Sequence, residues 1–139
     1  MSARTKARKR AIDILYVADI RQTTIEQSLA MEAERAANEP ARMASWLYAR
    51  DIVDGVVDHC DEIDELIETY SQGWTLSRMP TIDRAILRIG IWEILYNDAV
   101  PHAVAIDEAV EAAKVLSTDD SAGFVNGLLG RIAQTAPSA

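Results

Sequence analysis

A single cysteine, two histidines, four prolines and six glycines in 139 residues set the first limits. One cysteine excludes an internal disulfide framework and fits a reducing cytoplasm. Nucleophilic and metal chemistry have few residues to work with. His59 and Cys60 are neighbours, and successive helical side chains diverge by about 100°, so they do not readily pair as base and nucleophile. Together with the distant His102 they have no recognised metal-ligand spacing. No Walker loop, dinucleotide fingerprint or serine-hydrolase elbow occurs. No catalytic residue, metal site or cofactor is expected, and the chain reads as a binding module. Its apolar runs are far too short to span a bilayer. Its basic start lacks an apolar segment behind it, so a secretory signal is not expected either. With few prolines and glycines and no alternating β-branched segment, an all-α domain with one proper core is expected over residues 1–139.

The charge is uneven. Arg4, Lys6, Arg8, Lys9 and Arg10 place five of the 14 basic residues within the first ten positions. The rest of the chain has 9 basic residues (14 less these five) and all 22 acidic ones, a net of −13. An acidic body repels nucleic acid as a whole, but a short basic segment still binds it locally. This segment runs into an amphipathic helix whose face is Ala7, Ala11, Ile14, Leu15 and Ala18. The first two turns read as charged all round, and positive side chains at a helix N-terminus oppose the macrodipole. The expectation is an end that frays when free and orders on an anion, as arginine-rich segments do on RNA. Charge alone leaves a solubilising tail open.

The densest apolar stretch is Thr81 to Asp98. Ile82, Ala85, Ile86, Ile89, Trp92 and Tyr96 share one helical stripe, and Leu87, Ile91, Ile94 and Leu95 another. A helix apolar on both sides belongs at the centre of a domain. Arg84 and Arg88 are four apart and read as one basic ridge; Glu93, among apolar residues, reads as a paired structural carboxylate. Upstream, Thr24 to Ala37 is a second helix capped by Thr23 or Thr24. A stripe of Met43, Trp46, Leu47, Val53, Val56, Val57 and Cys60 continues through Ile63, Leu66, Ile67 and Tyr70, with a break expected at 59–61. The acidic run from Asp58 to Glu68 is a solvated face, and Cys60 reads as core. Gly73 to Pro80 is a connector that Trp74 pins to the body. Downstream, a helix from His102 to Leu116 buries Ile106, Ala109, Val110, Ala113 and Leu116. Ser117 to Ser121 offers N-caps for a last helix that buries Val125, Leu128, Leu129 and Ile132. Gly123, Gly127 and Gly130 fall on one side of that helix, where close helix–helix approach would offset their low propensity.

Several of these segments together resemble the NusB family. Asp83-Arg84-Ala85-Ile86-Leu87-Arg88 with Glu93 and Tyr96 is similar to its central signature. Pro101 with Val104 to Lys114 resembles its next block, Phe124-Val125-Asn126-Gly127-Leu128-Leu129 its last, and the arginine-rich start through Leu15-Tyr16 its first helix. The resemblance implies about seven helices packed as two helical subdomains. It implies a transcription antitermination factor that binds boxA RNA of ribosomal RNA leader transcripts together with ribosomal protein NusE, in a complex with other Nus factors on RNA polymerase. By position, it puts RNA contacts at Arg4, Lys6, Arg8, Asp120, Ser121 and Phe124, and the NusE-facing surface at Tyr16 and Asp83. Gly123 stands where some members have a basic residue, which removes one phosphate contact. Some members form homodimers that cover the RNA surface, and the sequence leaves that open. The residues themselves also leave open a helical protein–protein adaptor that does not touch RNA.

Overall fold

The computed structural model describes residues 2–21, 24–72 and 74–136. Among these are seven α-helices and two short 3₁₀ turns, and no strand, so the protein is all-α. No helix among the described residues is long and apolar enough to cross a membrane. The chain forms two compact units, residues 1–54 and 55–139.

The first unit holds α1 (Ala3–Arg21), α2 (Ile25–Asn38), a 3₁₀ turn (Pro40–Arg42) and the larger part of α3 (Met43–Asp58). Helix α1 begins at Ala3, and the Ser2 hydroxyl accepts the Thr5 N–H at 3.1 Å. Its second turn is not charged all round, because Ala7 and Arg8 are both buried there. Ala11, Ile12, Ile14 and Leu15 carry that face onward. Thr24 caps α2 through a reciprocal box, its hydroxyl accepting the Gln27 N–H while the Gln27 carbonyl accepts the Thr24 N–H. Thr23, the other expected cap, lies outside the described residues. In α3 the buried stripe is Trp46, Ala49, Ile52, Val53 and Val56, while Met43, Leu47 and Val57 are exposed. Residues 46, 49, 53 and 56 hold helical register and face the core, whereas 43, 47 and 57 are equally apolar but lie on the outer side of the helix.

The second unit holds the end of α3 and then α4 (Cys60–Tyr70), a 3₁₀ turn (Leu76–Arg78), α5 (Thr81–Tyr96), α6 (His102–Leu116) and α7 (Asp119–Thr135). The break between α3 and α4 falls at His59, with φ −114° and ψ 20°. Helix α5 is central, packed by α4, α6 and α7. Both of its apolar sides are buried, from Ala85 to Ile94, and Glu93 is buried with them and not left unpaired. Arg84 and Arg88 do not form a basic ridge. Arg84 donates to the Leu76 carbonyl at 3.0 Å and to the Thr81 hydroxyl, tying the 3₁₀ turn to α5. Arg88 forks onto Asp64 at 2.9 and 3.1 Å, tying α4 to α5. Cys60 is only half-buried; its thiol faces Asp64, and partial burial pushes its pKa up.

Helix α6 buries Ala105, Ala109 and Ala113, four apart, rather than its larger Ile106, Val110 and Leu116. Helix α7 packs on α6 and contributes Val125, Leu128, Leu129 and Ile132 to the core as expected. The glycine side of α7 has a different role from the one expected. A Cβ at Gly123 or Gly130 would meet nothing within 4 Å, and one at Gly127 would meet the Arg131 guanidinium at 3.4 Å, so no neighbouring helix lies against this side at these positions. Close approach is instead made at Gly55, where a Cβ would strike the Trp92 ring, and at Gly90, where it would sit 2.8 Å from Leu129 Cδ1. Gly73 lies outside the described residues, and Trp74 stands edge-on to Phe124 with ring centroids 4.9 Å apart.

Candidate nucleic-acid interface

Two segments, one in each unit, carry the residues that the sequence marks for RNA. The first is the start of α1. Arg4, Lys6 and Lys9 are exposed on it. Arg8 is not: it is 7% exposed, and its guanidinium lies over the Tyr48 ring at 5.8 Å from the centroid. Arg4, one turn earlier, lies over the same ring at 5.2 Å. Tyr48 is thus a two-cation platform on α3, which gives α1 a cation–π anchor and leaves the Arg4 head open to solvent. The Tyr48 ring and the packing of α1 enclose Arg8. Lys9 is four residues before Asp13, whose carboxyl feels its charge. The least committed cations of this turn are Arg4 and Lys6. Tyr48 was not legible in the sequence, being 44 and 40 residues from Arg4 and Arg8.

The second segment is the start of α7. Thr118 is its N-cap, and its side-chain oxygen accepts the Ser121 N–H at 3.0 Å. Asp119 and Asp120 are exposed in the first turn, where carboxylates complement the helix dipole. Gly123 is exposed beside them, and Phe124 is half-buried against Trp74. Phe124 is only half-buried, so part of its surface stays available for stacking. Ser121 is 4% exposed, and its hydroxyl donates to Asp83 Oδ2 at 2.7 Å while accepting from Ser117 and Thr118, each at 3.0 Å. Asp83 is correspondingly 0% exposed and offers no open face to a partner protein. The burial of both has one cause: the first turns of α5 and α7 meet, and the two polar side chains share a hydrogen bond there. Tyr16, on α1, is half-exposed.

A 390 Å³ depression is lined by Asp64, Glu65, Glu68, Thr69 and Leu76, and its carboxylates would repel phosphate. No group of three or more His, Cys, Asp and Glu side chains among the described residues could hold a metal ion.

The sequence model of the NusB family matches residues 5–134. The chain is 74% identical over 137 residues to the transcription antitermination protein NusB of Leifsonia xyli subsp. xyli, covering 99% of this chain and 95% of that one. Its fold is similar to that of T. maritima NusB, with a TM-score of 0.84 and 31% identity, covering 98% and 94% of the two chains. It is also similar to a chain in the crystal structure of antitermination factors NusB and NusE in complex with dsRNA, with a TM-score of 0.82 and 26% identity over 97% and 98%.

Proposed function

Because the chain belongs to the NusB family, we propose that it is a transcription antitermination factor that binds boxA RNA of ribosomal RNA leader transcripts together with ribosomal protein NusE. It acts within a complex of Nus factors on RNA polymerase, in the cytoplasm, and without catalysis of its own. The observation that carries this reading is the full-length similarity, at 74% identity, to a protein of that name. The geometry supports it. Arg4 and Lys6 sit exposed on a helical turn, with Arg4 pre-oriented by Tyr48, which suits phosphate contact. Phe124 supplies an aromatic face for an unpaired base, and Asp120 an acceptor for a base amino group. Tyr16 is a partly open aromatic for the NusE surface. Residues 1–139 are read as one functional domain that draws on both units.

A titration of the full-length protein with boxA RNA and a scrambled RNA, each with and without NusE, tests the reading. The expected result is tighter binding to boxA, strengthened by NusE. Equal and weak binding to both RNAs, with NusE still bound, would overturn it in favour of the protein–protein adaptor.

A further inference from the structure

We infer that Asp83 is a positioning residue for RNA binding, acting through Ser121 to fix the first turn of α7. The inference rests on the reading that the start of α7 meets RNA. Asp83 is the third residue of α5 and Ser121 the third of α7. Their hydrogen bond, at 2.7 Å, crosses between the two helix starts inside the second unit. Ser121 also receives the hydroxyls of Ser117 and Thr118, so the residue that leads into α7, its N-cap and its first turn converge on one carboxylate. The second oxygen, Asp83 Oδ1, is buried and has no hydrogen-bond partner among the described residues.

This is a poor arrangement for stability alone. A buried carboxylate with one oxygen unsatisfied is costly, and apolar residues of similar volume would pack there at least as well. A hydrogen bond nevertheless has a direction that apolar contact lacks, so it sets the axial and rotational position of α7 against α5. Asp120 precedes Ser121 in that turn, and Phe124 follows it by three residues, placing both on the segment that the bond holds. Phe124 also meets the Trp74 ring, with centroids 4.9 Å apart. A small rotation of the turn would move the stacking ring and the acceptor carboxylate together. The hydroxyl of Ser121 is thereby spent on Asp83 and is not free for a base or phosphate.

A double-mutant cycle on boxA RNA affinity, measured on the full-length protein well below each variant's Tm, tests this. Ser121→Ala and Asp83→Ala should each weaken binding about tenfold, and the double variant should be no weaker than either single one. The RNA salt dependence should stay unchanged throughout, because no phosphate contact is lost. Asp83→Asn, which keeps an acceptor for Ser121, should retain most of the affinity and covers the case in which Asp83→Ala does not fold. If Asp83→Asn and Asp83→Ala both bind RNA at full strength while Ser121→Ala is weakened, Ser121 touches RNA directly and the inference fails. Additive losses in the double variant would overturn it as well. Phe124→Ala separates this from failure of the underlying reading. If that variant keeps full RNA affinity, the start of α7 is not an RNA surface at all. If it loses affinity while the Asp83 and Ser121 variants do not, only the positioning role is wrong.

Discussion

The phenol of Tyr96 donates to Glu62 Oε2 at 2.5 Å, and its ring stacks on His59 at 3.7 Å with planes 9° apart. The hydrogen bond to Glu62, with a smaller contribution from burial, pushes the phenol up to about 12 from its ordinary 10. The protonated phenol is the form that the fold favours. This stabilisation is therefore fully present below pH 10 and is lost as pH rises toward about 12. Following phenolate absorbance through an alkaline titration should show a late-ionising tyrosine that Tyr96→Phe removes and Glu62→Gln returns toward the ordinary value. Asp83 makes the opposite kind of case, a group with no route to solvent. Asp83→Lys would put an ammonium where exposure is 0% and strand the Ser121 hydroxyl. The cost should be about 3–5 kcal/mol, seen as a large fall in Tm; an unaltered melt would mean that this side chain reaches solvent after all.

Helix α5 owes its place to side chains that leave no polar face, and α3 reaches it at a glycine. The Trp92 ring lies where a Cβ of Gly55 would be. Gly55→Ala gains about 1 kcal/mol in helix propensity but has to displace an indole that is 9% exposed. Overpacking of that kind costs about 1–3 kcal/mol, so the variant should melt lower in a thermal scan despite its better helix former. Gly123→Ala, on the open side of α7, should melt higher by the propensity term alone. These contrasts show which features could be read along the chain. The caps at Thr24 and Thr118, the break at His59 and the two-sided apolarity of α5 are local, because each depends on residues within a turn or on a simple period. The glycines of α7 resemble those of α3 and α5 in sequence, and only the packing partner separates an open glycine from a contact glycine. Arg8 and Arg4 look equivalent on a charge count, yet one is enclosed under Tyr48 and the other is open. The bond between Asp83 and Ser121 joins residues 38 apart, and nothing in either segment announces the other.

Taken as a whole, the protein is an acidic body with a basic end: −8 overall, and −13 once the first ten residues are set aside. Binding of a polyanion must then come from few contacts, and its salt dependence counts them. Each phosphate contact on a single strand should add about 0.7 to the fall of log affinity with log salt. Arg4 and Lys6 are exposed at the start of α1, whereas Arg8 is enclosed and Lys9 stands beside Asp13. Replacing both Arg4 and Lys6 by Ala should flatten the slope by about 1.4 and weaken boxA and scrambled RNA alike. Arg8→Ala should lower Tm, because it removes a buried cation from Tyr48, and it should change the slope less than either exposed residue does. Phe124→Ala should lower affinity by the loss of stacking, worth roughly 1–3 kcal/mol, with the slope untouched. RNA titrations over a range of salt, paired with thermal melts of the same variants, separate the three behaviours. Full affinity and an unchanged slope in the Arg4 and Lys6 double variant would reduce the basic end to a solubilising tail, leaving α7 without an electrostatic partner for the RNA.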